Sequence, residues 1–277
     1  MRWLLLGLLV VGWAVASQPP AGRWVRVGES AHFRYYELAD YQNTPRALSR
    51  AQVSIALLRL EVFWELVAPQ WNYPPEAKIA YYRFASADDL ARLTGRRFND
   101  RALSGQGIVL SIHASDPYEL AQVLTEQTSP HRIADFWLEG IARYYAWPWM
   151  YCPEDNCACA YQARLGGWNQ RSVHYWAQAD LRKGVLPRLE ELVYTNLLFE
   201  RLPTATAYPA AGSFVAFLLE VLPAQLPQFR QFLTLAASAR SQAELLAAFQ
   251  QVFGLSLSTA EVRWHRFLEG WNEGDLR

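Results

Sequence analysis

The residue pattern changes character once, at Asp116-Pro117, and that switch commits the chain to a mixed architecture. Ahead of it, strand-like runs alternate with helical ones. His32-Phe33-Arg34-Tyr35-Tyr36 is loosely alternating and aromatic, which suits a strand; Lys78 to Phe84 is a second, and Ile108-Val109-Leu110-Ser111-Ile112 a buried third. Thr44-Pro45 offers an N-cap and a first-turn proline for a helix running to about Leu66. Val53, Leu57, Leu60, Phe63 and Leu66 recur along it every three or four residues. Tyr73-Pro74-Pro75 breaks the chain, and Ser86 with Asp89 opens a short helix ending near Gly95. Residues 18–30, with Pro19-Pro20 and Gly22, read as a short lead-in. After the switch, helices are expected from Asp116-Pro117 to about Thr128, from about His131 to Tyr145, and at about 209–221, 223–236, 241–252 and 258–271. Ser241 with Glu244 and Ser258 with Glu261 form capping-box patterns on either side of the stop signal Gly254. The class is α+β: a sheet-containing lobe over about 23–115 and a helical lobe over about 116–277.

At 277 residues, 52% hydrophobic and 19% charged, the chain has enough apolar material for a full core. Its net charge of zero argues against a nucleic-acid partner, because neutralising phosphates needs a basic surplus. Arg2, the apolar run Trp3 to Ala16 and the small-residue exit Ala14-Val15-Ala16 before Ser17 read as a secretory leader over residues 1–16. The run falls short of the roughly 20 residues a spanning helix needs, so cleavage is favoured over an uncleaved anchor. No later segment reads as a membrane span, which leaves the leader as the sole membrane contact. Export to a periplasmic or extracellular compartment is the expectation. Cys152, Cys157 and Cys159 cluster. In an oxidising compartment they favour one disulfide, Cys152 with Cys157 or Cys159, over a zinc site that would want a fourth ligand.

Two stretches carry chemistry. Tyr118-Glu119-Leu120-Ala121-Gln122 places Tyr118 and Gln122 one turn apart with Glu119 beside the first. Trp137-Leu138-Glu139-Gly140 sets a carboxylate in an apolar run, where a bare charge is expensive. Glu139 therefore needs a partner: Gln122, Tyr118 or an arginine. Glu119 also has a plain role, as the third residue after the N-cap Asp116. Trp147, Trp149, Tyr151, Tyr161 and Trp168 make an aromatic-rich stretch that either packs a long loop or lines a groove.

These stretches resemble the peptidase MA-like, or gluzincin, zinc metallopeptidases. Glu119-Leu120-Ala121-x-Val123-Leu124 resembles the family's metal-site helix, H-E-L-x-H-x-L. Trp137-Leu138-Glu139-Gly140-Ile141-Ala142-x-Tyr144 resembles W-L-x-E-G-x-A-x-Y with one residue missing before the glutamate. Tyr208-Pro209-Ala210-Ala211-Gly212-Ser213-Phe214 resembles a later Y-x-x-A-G-S-F segment. The resemblance implies a zincin-like fold, with Glu119 at the general-base position, Glu139 at the third-ligand position and Tyr208 near the cleft. Tyr118 and Gln122 then stand where two histidines would hold zinc. A phenol titrates near pH 10 and an amide carbonyl prefers harder ions, so no metal is expected here. His113 or His131 moving in would be the way to rebuild a site; both read more simply as loop or helix-start residues. The resemblance therefore implies a non-catalytic pseudopeptidase binding a peptide or protein through the old cleft. The alternatives are an active zinc peptidase with an unusual ligand set and a structural cell-envelope protein without a cleft function.

Overall fold

The structure, a computed structural model, describes residues 20–74, 76–95, 100–101, 107–126, 133–150, 167–168, 171–194, 198–222 and 225–272. The leader, His131 and the three cysteines lie outside these residues, as do Tyr151 and Tyr161; the side chains of Trp147, Trp149 and Trp168 are likewise not described.

A five-stranded mixed sheet forms the N-terminal part, in the order β1-β2-β3-β5-β4. β1 (Trp24–Glu29) runs antiparallel to β2 (Phe33–Leu38), which lies parallel to β3 (Ile79–Arg83). β3 lies parallel to β5 (Ile108–Ser111), and the two-residue β4 (Asp100–Arg101) closes the far edge antiparallel. β1 corrects the sequence reading, which took residues 18–30 as a lead-in. All six of its residues are exposed or half-buried by virtue of the edge position, so it lacks the clean alternation that marks a strand. One face of the sheet (Phe33, Tyr35, Ile79, Tyr81, Val109) joins the main core, and the other (Tyr82, Ile108, Leu110) packs with Phe84 and Leu90.

Helix α1 (Arg50–Val67) covers the main-core face. It begins five residues later than Thr44-Pro45 suggested. The Thr44 hydroxyl donates to the Tyr41 carbonyl (2.6 Å) and serves a turn, while Ser49 and Gln52 form the working capping box. The inward stripe ends in Val67, not Leu66, which is 54% exposed. Counting 3.6 residues per turn from Val53 reaches 67 after four turns and leaves 66 about 100° off the buried side. α2 (Ala87–Thr94) is capped by Ser86 and stopped by Gly95 in the left-handed region (φ 72°) as expected.

The helical part holds α3 (Pro117–Glu126), α4 (Asp135–Met150), α5 (Val173–Arg182), the single turn α6 (Leu198–Arg201) and α7 (Thr204–Ala216), which runs into a π-helical stretch over Phe217–Val221. α8 (Leu226–Ser238), α9 (Gln242–Phe253) and α10 (Leu257–Gly270) follow. Gly167–Trp168 and Arg171–Ser172 form a small ribbon, β6 and β7. α7 begins five residues before Pro209, which sits inside it. A proline favours a helix start in sequence, but the surrounding core, buried from Ala207 to Phe217 save Tyr208, overrides that preference. The Thr204–Val221 stretch has the length and apolarity of a membrane span, contrary to the expectation that no later segment would; 61% of it is buried in the protein body, as befits a core helix.

Trp137 on α4 is the hub of this region. It is fully buried, rings with Phe136, Phe214, Phe229, Phe232 and Phe249 lie around it at 4.7–6.4 Å, and its indole N–H donates to the Val193 carbonyl (3.0 Å). α4 and α7 cross at close range: a Cβ on Gly140 would sit 2.7 Å from the Ala211 carbonyl oxygen and 2.5 Å from Val215 Cγ2. A Cβ on Gly212 would fall 2.9 Å from the Cβ of Arg143. Two glycines thus set the spacing of the helices that bear Glu139 and Tyr208.

Candidate functional site

The sheet places α3. Tyr35 donates to the Ala114 carbonyl (2.7 Å) and Tyr81 to the His113 carbonyl (3.0 Å), pinning the loop that leaves β5. Ser111 at the end of β5 donates its hydroxyl to Asp116 Oδ2 (2.6 Å), and Asp116 Oδ1 accepts the Glu119 backbone N–H (3.2 Å). Asp116 thus joins the last central strand to the first turn of α3, and the N-cap expected at Asp116-Pro117 is present. Asp116→Ala should lower stability by about 1–2 kcal/mol, the upper end applying because the residue is buried and holds two partners. Urea unfolding reads this as a lower midpoint at unchanged slope.

Tyr118, Glu119 and Gln122 are all buried on α3. Glu139 and Arg143 are buried on α4, one turn apart, and α3 packs along α4. Tyr208, half-buried, comes from α7. The Arg143 guanidinium lies between two aromatic faces, its Cζ 4.3 Å from the Tyr118 ring centroid and 3.9 Å from that of Tyr208. The two rings meet edge-on at 6.0 Å. Burial pushes the Tyr208 hydroxyl up to about 12, and the carboxylates of Glu139 and Glu119 add to the effect, while Arg143 opposes it through its charge and a hydrogen bond donated to the hydroxyl. One phenol therefore senses both carboxylates and the guanidinium. Burial also drives Tyr81 well above its ordinary value, with the charges of Asp116 and Glu119 adding to the effect.

The structure thus gathers Tyr118, Glu119, Glu139 and Tyr208 around one centre and keeps Gln122 buried one turn from Tyr118. His113 is exposed in the loop before α3. The sequence reading allowed Glu139 an arginine partner without naming it. Arg143, four residues on along the same helix, is the residue at the centre, and Glu–Arg spacing at i and i+4 is the signal that would have found it.

The donor set does not suit zinc. Of the residues gathered, two are carboxylates, two are phenols and one is a permanently charged guanidinium; none is an imidazole or thiolate. Among the described residues, no three His, Cys, Asp or Glu side chains come together in a way that would hold a metal ion. A cavity of about 390 Å³ opens elsewhere, between Gln70, Tyr144 and Tyr145 on one side and Leu219, Leu222 and Leu226 on the other.

A second buried polar group lies behind the site. Ser213 Oγ accepts the Trp264 indole N–H from α10 (2.9 Å) and contacts His174 Nδ1 on α5 (2.9 Å). The hydroxyl oxygen keeps a second lone pair and its own proton, so the contact to Nδ1 is compatible with either neutral tautomer of the imidazole. Burial pushes His174 down to about 4.

No family model matches the chain, and neither does any curated protein. Three solved structures do. One is a mutant two-domain M1 zinc metallopeptidase bound to L-tryptophan, 18% identical over 89% of this chain with a TM-score of 0.45. Another is a mutant M1 zinc metallopeptidase from Deinococcus radiodurans, 19% identical over 91% with a TM-score of 0.45, and the third is an M1 zinc metallopeptidase from the same organism, 19% identical over 90% with a TM-score of 0.43. This chain spans about half the length of each, 50–52%. At this distance the likeness is one of overall shape, and the site is read from its own geometry.

Proposed function

We propose that this chain is a non-catalytic, exported relative of the gluzincin peptidases, a pseudopeptidase that keeps the pocket without its metal and binds a peptide or protein ligand at the cleft. The observation that carries the reading is the centre of the cluster: the two positions one turn apart on α3 are a phenol and an amide, and the phenol is committed to a guanidinium stacked on its face. In the zinc sites of the peptidases this chain resembles, the metal that activates water is held by two imidazoles and a carboxylate, and the imidazoles are missing here. Glu119 sits in the first turn of α3, its backbone N–H capped by Asp116, where a carboxylate is favoured by the helix dipole without any catalytic duty.

Metal analysis of the purified chain tests this. The expected result is far less than one zinc per chain, no peptide hydrolysis above background, and a thermal midpoint unmoved by chelators. About one zinc per chain, with peptide cleavage lost on chelation, would replace this reading with that of an active zinc peptidase.

A further inference from the structure

We infer that Arg143 is the resident cation of the cleft: its guanidinium occupies the space in which the Glu119 and Glu139 carboxylates would otherwise recruit a divalent metal, so that imidazoles placed at 118 and 122 cannot bind zinc while Arg143 is present. The inference rests on the metal-free reading above and deepens it.

Three observations fix the guanidinium in place. Arg143 is only 4% exposed, so its charge has no route to bulk water. Its stem lies against Gly212, where any larger residue would strike its Cβ, so the backbone of α7 limits how the side chain leaves α4. Its head is held between the Tyr118 and Tyr208 rings at 4.3 and 3.9 Å and donates to the Tyr208 hydroxyl. A buried cation persists only where anionic groups offset its desolvation, and both carboxylates act on the same phenol that it touches. Those carboxylates would recruit a metal ion through the same attraction. A second positive centre within a few ångströms of the guanidinium would meet like-charge repulsion in a poorly screened setting. An arginine cannot escape this by deprotonating, because its pKa stays above 12.

The test compares zinc binding by three forms of the full chain: Y118H/Q122H, Y118H/Q122H/R143M and Y118H/Q122H/R143K. Histidines at i and i+4 supply a zinc chelate on one helix face, and Glu139 faces it from α4. Zinc is titrated against a chromophoric chelator, with thermal melting in the presence and absence of zinc as a second readout. The methionine form is expected to bind one zinc per chain on the order of 100-fold more tightly than the double substitution, because a neutral thioether replaces the opposing charge. The lysine form, still charged, should stay as weak as the double substitution. If the methionine form does not fold, Y118H/Q122H/R143Q takes its place, since an amide keeps a polar head without the charge. Zinc binding by the double substitution within about threefold of the neutral form, or no binding by a folded neutral form, overturns the inference. Neither result touches the metal-free reading, which stands or falls on the zinc content of the unaltered protein.

Discussion

Trp137→Ala should cost about 4 kcal/mol, the largest loss expected from any single truncation in this chain. The site is fully enclosed, with five phenylalanine rings from four helices converging on it, so little backbone can collapse into the space left behind. The substitution also strands the Val193 carbonyl that accepts the indole N–H at 3.0 Å. Domains of this size have a net stability of roughly 5–15 kcal/mol, so the variant should populate unfolded chain measurably at 37 °C. Trp137→Phe separates the two contributions, since it keeps a ring against its neighbours and drops the hydrogen bond and part of the volume. About half the loss is expected for it. Urea denaturation of both variants is the measurement, and a loss below about 1 kcal/mol for alanine would show that Trp137 is not the hub of the helical core.

Lowering the pH from 7 to 4 should remove up to about 3 kcal/mol of stability through His174 alone. In the unfolded chain this imidazole titrates near 6.5; in the folded one burial lowers it to about 4. Between those values the unfolded chain binds a proton that the folded chain refuses. Stability is therefore complete above pH 6.5, falls as the pH drops through that value, and levels off below about 4. The refusal comes from burial: the imidazole is enclosed beside the Ser213 hydroxyl (2.9 Å from Nδ1), with the Phe267 and Trp271 rings closing around it at 5.0 and 5.8 Å. His174→Gln retains an acceptor for the serine but has no proton to take up. The difference in unfolding free energy between the two proteins, followed from pH 7 to 4, isolates this residue from the many carboxylates that also titrate. Parallel profiles would remove the assignment.

The elements most legible in the sequence were those whose ends carry their own hydrogen bonds. Ser86, Asp116, Ser241 and Gly254 mark helix boundaries in both the sequence and the structure, because a cap is a contact within four residues. The boundaries that moved had local rivals. Ser258 with Glu261 read as a capping box, yet Ser256 caps α10 and the Glu261 carboxylate instead accepts the Leu189 backbone N–H at 2.8 Å, seventy-two residues away. α5 is not legible in the sequence because its inward set includes His174, Gln178 and Asp180, polar residues of which the first two find their partners on α7 and at the end of α10. The site follows the same rule. Tyr118, Glu119, Gln122, Glu139 and Tyr208 were readable as positions, since helix periodicity and a family pattern place them. That Tyr118 and Tyr208 meet around Arg143 depends on the α4–α7 crossing at Gly140 and Gly212, which only the assembled helices define.

Ser213 shows how much a single buried hydroxyl can hold together. It accepts the N–H of one ring and shares a hydrogen bond with another, in a space with no exposed surface. Alanine would silence both exchanges, threonine would add a methyl with nowhere to go, and cysteine would offer a weaker and bulkier atom. Three helices distant in sequence, α5, α7 and α10, meet at this one oxygen.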